Sequence, residues 1–180
     1  MTKYITLPLF ALLCVSQRRL WAADTEWVLE KSTITYHVSH PLHQTEGVSH
    51  EAKGKGLCHE GQCKFLIAVP VKSFDSGDTN RDLHMVQVVR GAAYPLVTVR
   101  LTVPENSGSA TAITTDLEVE LAGQTGHYTV PIQVALQGNE AHVSGTIPAT
   151  MSDFKIDPPS LLGIACKDQM AVRVEMIWRR

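Results

Sequence analysis

The sequence predicts an all-β domain of antiparallel strands, and three observations point that way. Apolar and polar residues alternate with period two in run after run, clusters of Gly, Pro, Asn and Asp separate the runs, and no long helical periodicity lies between them. Ile34, Tyr36, Val38 and His40 alternate with Thr33, Thr35, His37 and Ser39, which makes one strand with one dry face. The beat repeats in Phe65-Ile67-Val69-Val71, Val97-Val99-Leu101-Val103, Leu117-Val119-Leu121, Tyr128-Val130-Ile132-Val134-Leu136, Val143-Gly145-Ile147 and Met170-Val172-Val174-Met176-Trp178. A segment around Val48 to Leu57 brings the total to about eight strands. No run is a solid apolar block, which favours strands wet on one side over a parallel sheet covered on both. Eight such strands can close into a barrel that holds side chains or one ligand. Two packed sheets satisfy the same periodicity, and the alternation does not choose between them.

One segment breaks the beat. Asp78 or Thr79 is suited to cap a short helix running through Val89, with Leu83 and Val86 on one face and the pair Arg81-Asp82 in the first turn. Gly91 and Pro95 end it. Between two strands of a barrel, such an excursion covers an end. No repeat or low-complexity tract divides the chain, so its 180 residues are expected to form one domain.

The N-terminus has the marks of a secretory signal. Lys3 supplies a positive start, Ile5 to Val15 is an apolar run too short to span a bilayer, and Ala22 and Ala23 offer small residues at a cut site. Residues 1–23 are therefore expected to be a signal peptide and 24–180 the working domain, with no integral membrane segment. Lipidation at Cys14 is disfavoured because Leu13, not a small residue, precedes it. Losing Lys3, Arg18 and Arg19 leaves 13 basic against 18 acidic residues, a net charge near −5. With no basic run, nucleic acid is a poor partner.

Cys58 and Cys63 bracket His59-Glu60-Gly61-Gln62, which reads as a hairpin tip, and in an oxidising compartment a disulfide across it is expected. Cys166 is left over. A buried free thiol acting as a small hydrophobe is its plainer reading, against intermolecular pairing or a reactive thiol.

The interior apolar set read from the alternation is Ile34, Tyr36, Val38, Phe65, Ile67, Val69, Val97, Val99, Leu117, Val119, Val130, Ile132, Val172 and Val174. It can simply fill a core. Only Tyr36 and Phe65 are aromatic, however, and valine-rich walls leave more room at a barrel axis than Leu- or Phe-lined ones.

Eight histidines invite a metal reading, above all His37-x-x-His40-x-x-His43. Residues three apart on a strand point to opposite faces, and no acid or thiol pattern completes a tetrahedral set, so no metal is expected. His84 and Asp82, two apart on a helix, do not face each other, and neither G-x-S-x-G nor H-E-x-x-H is present, so no catalytic constellation is expected.

The run Asp78 to Pro95, DTNRDLHMVQVVRGAAYP, carries more specific information. It resembles the YceI-like family, whose hallmark is D-T-x-x-R-D-x-H-[LM] followed by Y-P: Asp78, Thr79, Arg81, Asp82, His84, Met85, Tyr94 and Pro95 all match, as does Ser73 upstream. Trp27-x-Leu29 with Ser32, Ile34, Tyr36, Val38 and His40 resembles the family's opening strand. Gly145-Thr146-Ile147, Ser152-Asp153-Phe154 and Val172-x-Val174 resemble its closing strands. The resemblance spans roughly Trp27 to Trp178; the chain departs from the pattern at Pro41 to Thr45, at Val88 to Ala92 and in its Cys hairpin.

The resemblance implies an eight-stranded lipocalin-like barrel, exported to the periplasm or beyond, with a long isoprenoid lipid or isoprenoid quinone in an apolar tunnel. No cofactor is expected besides that occupant. The candidate lipid-binding set is then the interior residues above with His40, Leu83, His84 and Phe154. Asp78, Thr79, Arg81, Asp82, Tyr94 and Pro95 take the structural part, tying the excursion to the barrel. A barrel enzyme using His40 or His84, and a metal- or haem-binding protein using the His-rich opening, are the competing readings. A homodimer is left open.

Overall fold

The computed structural model describes residues 24–109, 112–161 and 163–180. The expected signal peptide lies outside them. The described residues form eleven strands, in the order β1 (Thr25–His40), β2 (His43–Ser49), β3 (Lys53–His59), β4 (Gln62–Pro70), β5 (Leu96–Pro104), β6 (Ala112–Leu121), β7 (Gln124–Gln137), β8 (Glu140–Thr150), β9 (Ser160–Leu161), β10 (Ile164–Ala165) and β11 (Gln169–Arg179). One α-helix, α1 (Thr79–Val88), lies between β4 and β5.

Every pairing is antiparallel, and the sheet order β11-β8-β7-β6-β5-β4-β3-β1 closes through β1 with β11. The periodicity had left barrel and sandwich equal; the structure is a closed eight-stranded barrel. The expected strand from Val48 to Leu57 is instead two strands, broken at His50 to Ala52. Each pairs with a different half of β1: β3 with Thr25 to Val28, β2 with Ile34 to His40.

β1 changes phase along its length. Trp27 and Leu29 are buried at odd positions, whereas Ser32, Ile34 and His40 are buried at even ones. A register shift against β11 between Leu29 and Lys31 inserts the extra residue that this change needs. At the end of the β3–β4 hairpin, Glu60 (φ 50°) and Gly61 (φ 80°) form a two-residue turn with positive φ at both positions, the form whose twist suits a tight hairpin. Cys58 and Cys63 face each other across it and are joined in a disulfide.

The two barrel ends differ. The hairpin tips of β3–β4 and β7–β8 lie at one, the lower end. The upper end receives α1 and the long connection from Met151 to Asp168. Asp78 caps α1, its Oδ1 accepting from the Asn80 and Arg81 amides at 2.9 and 3.2 Å. Asp82 accepts from the Ser76 amide at 3.0 Å, and the Val71 amide donates to the Pro95 carbonyl at 2.9 Å, so both ends of the excursion are tied. The Tyr94 ring lies over Gly123, where a Cβ would collide with it. Asp78 and Asp82 thus hold the excursion's own shape, Pro95 ties its two ends together, and Tyr94 packs it against the β6–β7 turn.

Candidate ligand cavity

A cavity of about 530 Å³ fills the upper part of the barrel, within the usual range for ligand pockets. Its wall is almost wholly aliphatic. Ile34, Tyr36 and Val38 come from β1, Ile67 and Val69 from β4, Val97, Val99 and Leu101 from β5, and Leu117, Val119 and Leu121 from β6. The circuit closes with Tyr128, Val130 and Ile132 from β7, Val143, Gly145 and Ile147 from β8, and Met170, Val172, Val174 and Met176 from β11. Alternation causes this: closing the sheet turns each strand's apolar face to one axis, and the frequent valines leave that axis open. No residue of β3 lines the cavity.

Two expected positions fall elsewhere. Phe65 points into the barrel below the cavity, where its ring meets Trp178 edge-on at 5.1 Å between centroids. Leu83 is 58% exposed on the outer side of α1. The helix instead turns Arg81, His84, Met85 and Val88 inward, an i, i+3, i+4, i+7 stripe. The expected Leu83/Val86 face chose the wrong side because nothing within the helix marks which of its apolar stripes meets the barrel. The sequence reading also missed the lining from the connection after β8, namely Met151, Ile156, Pro159, Ser160 and Cys166. Phe154, from that same connection, was expected, and its ring is fully buried in the wall. No alternation marks such a segment.

His84 and Ser160 both line the cavity and are exposed, so it opens between α1 and β9; Thr146 of β8 is a further exposed lining residue. Polar groups gather at the α1 end: Arg81 and His84 from the helix, Thr45 from β2 and the phenol of Tyr36. Burial, reinforced by the negative charge of Asp82 and opposed by Arg81, raises the Tyr36 pKa above its ordinary value, so this hydroxyl stays protonated. Arg81 also lies 3.8 Å from Asp78.

His40 is 3% exposed at the top of β1. Its Nδ1 accepts from the Leu42 amide at 3.1 Å, and its Nε2 pairs with the Ile164 carbonyl at 2.9 Å. Both nitrogens are thus engaged by protein backbone, which fixes the Nε2–H tautomer and pins the β9–β10 hairpin to the β1–β2 turn. Cys166 is half-buried on the cavity wall, and burial pushes its thiol pKa up, away from a reactive thiolate. His37 bonds Glu46 at 3.2 Å, His50 the Ser32 carbonyl at 3.1 Å and His59 Asp24 at 2.7 Å. Among the described residues no group of three or more His, Cys, Asp or Glu side chains is placed to hold a metal.

The geometry is that of an apolar pocket with a polar rim, suited to a ligand with a long greasy tail. Comparison with known proteins agrees with the architecture. A polyisoprenoid-binding domain from Saccharophagus degradans superposes with a TM-score of 0.71 at 14% identity, over 85% of this chain and 97% of that one. BcnA from Burkholderia cenocepacia gives 0.69 at 16% identity, over 81% and 95%. A YceI protein from Campylobacter jejuni gives 0.52 at 14% identity, over 65% and 72%. Such low identities establish a shared fold. No curated protein matches the chain in sequence. The family model for the YceI-like domain matches residues 21–177, almost the whole described barrel, and the chain belongs to that family.

Proposed function

We propose that the protein is a non-enzymatic carrier or scavenger that holds a long isoprenoid lipid or isoprenoid quinone, tail in the barrel and head at the rim. The observation that carries this reading is the 530 Å³, almost wholly aliphatic cavity, with Arg81, His84, Thr45 and the Tyr36 phenol gathered at its α1 end. At about 30 Å³ per water-sized group, that volume takes at least about eighteen methylene-sized groups. Burying them at about 0.8 kcal/mol each gives a gross gain on the order of 14 kcal/mol. Association and tail ordering offset much of it, yet tight binding needs no specific polar contact within the barrel. The similar domain from Saccharophagus degradans is described as polyisoprenoid-binding, which favours an isoprenoid over a straight acyl chain.

The protein works outside the cytoplasm, in the periplasm or beyond. The apolar run before Ala22 and Ala23 and the Cys58–Cys63 disulfide support this location.

The test is calorimetric titration of lipid-stripped protein with an all-trans polyprenol and with an isoprenoid quinone. Saturable one-to-one binding with a negative heat-capacity change is expected. Absence of binding to both ligands refutes the proposal.

A further inference from the structure

We infer that the aromatic pair Phe65–Trp178 is the floor of the ligand cavity and sets how long an apolar tail the barrel accepts; this rests on the ligand-binding reading above. On β4, β1 and β11 the lining stops above the pair, while on β5 it reaches Leu101, the register partner of Phe65. Ile67 of β4 contributes and Phe65 does not; Met176 of β11 contributes and Trp178 does not. Likewise Ile34 lines the cavity, whereas Ser32 and Leu29 below it on β1 do not.

What blocks the axis at that level is two rings laid across β3. Gly54 and Gly56 present bare backbone on its inner face. A Cβ at Gly54 would come within 2.6 Å of the Trp178 ring, and one at Gly56 would run into Phe65. The missing side chains are what let the rings cross the barrel. The floor is also packed from below. Trp178 is 4% exposed, Trp27 packs in the same cluster under the Arg180 guanidinium 5.1 Å from its ring centroid, and the Cys58–Cys63 disulfide closes the hairpin beneath. A tail entering at the α1 mouth therefore ends against the Phe65–Trp178 pair, and added isoprene units remain outside, where they gain little from burial.

The phenyl ring that Phe65→Ala removes is close to one five-carbon isoprene unit in size. Val143→Phe adds a ring at the deep end, since Val143 lines the cavity and pairs in register with Met176. The experiment measures affinity for polyprenols of two to ten isoprene units with the unaltered protein and both variants, each first shown by near-UV circular dichroism and thermal melting to be folded. For the unaltered protein, affinity should rise with length and then level off. The levelling point should move about one unit longer in Phe65→Ala and about one unit shorter in Val143→Phe. A variant that binds in the folded state with an unchanged levelling point overturns the floor assignment alone. If the unaltered protein binds no member of the series, the ligand-binding reading itself falls. Because the two variants move in opposite directions, collapse of Phe65→Ala leaves Val143→Phe to decide.

Discussion

Phe154 is the residue whose replacement best measures how the upper barrel is built. It lies in a single 3-10 turn, Ser152–Phe154, with no strand partner, yet it is only 1% exposed. Its ring sits 6.3 Å from that of Tyr128, and Gly126 beneath it leaves room: a Cβ there would lie 3.1 Å from the Phe154 ring. Its carbonyl accepts from the Arg90 guanidinium at 3.2 Å, which an alanine would preserve. Phe154→Ala therefore isolates the ring. Large-to-small changes of this kind cost about 3–5 kcal/mol. One edge of the ring already faces the cavity, so the removed volume joins that space instead of forming a closed void, and a loss of about 3–4 kcal/mol is expected. For a chain of this size that lowers Tm by roughly 6–16 °C. Urea unfolding followed by far-UV circular dichroism, with the disulfide intact, is the assay. A loss below about 1 kcal/mol, in the range of ordinary surface changes, would mean that Phe154 does not wedge the connection against the barrel.

Reducing the Cys58–Cys63 bond, or replacing both cysteines by serine, should cost about 2 kcal/mol, since the loop it closes is only five residues in separation; matched thermal melts with and without reductant check this, and equal Tm values contradict it. Asp78→Ala removes the acceptor for two amides of α1 and should cost about 1 kcal/mol; a larger loss of helical signal than of global stability would locate the damage in the excursion. The Asp24 carboxylate raises the His59 pKa through its hydrogen bond, so the NMR titration midpoint of His59 should lie above 6.5 and fall in Asp24→Asn. The sign follows: the raised pKa favours the protonated ring in the folded state, so the contribution is full below pH 6.5 and lost as pH rises through the folded midpoint. Tyr128 donates to Asp153 at 2.7 Å and holds its carboxyl below the usual range; Tyr128→Phe should raise that midpoint, and an unchanged value would remove the bond from the account.

The strands were legible because closure of the barrel gives each of them one wet and one dry side, and the sequence writes that difference at period two. The phase change in β1 went unread: Trp27 and Leu29 sit at odd positions and Ile34, Tyr36 and Val38 at even ones, and the bulge that joins the two phases emerged only from the pairing with β11. What the alternation lacks is any mark of closure, because the pairing of β1 with β11 is a relation between the ends of the chain. Resemblance of the Asp78–Pro95 run to a known family carried that step. The floor stayed hidden for a similar reason. Phe65 follows the same beat as Ile67 and Val69, and only its meeting with Trp178 over Gly54 and Gly56 separates the plug from the wall. The connection from Met151 to Asp168 is held by isolated bonds, such as the Lys167 amide to the Ser39 carbonyl at 2.8 Å, which no local pattern announces.

The central claim is that the upper barrel is a seat for one apolar chain, and native mass spectrometry of gently purified protein tests it most directly. The account predicts a second species, heavier by one lipid-sized mass, that disappears on extraction with organic solvent and returns when polyprenol is added back. Protein mass alone before extraction, and still alone after incubation with polyprenol or an isoprenoid quinone, would contradict it.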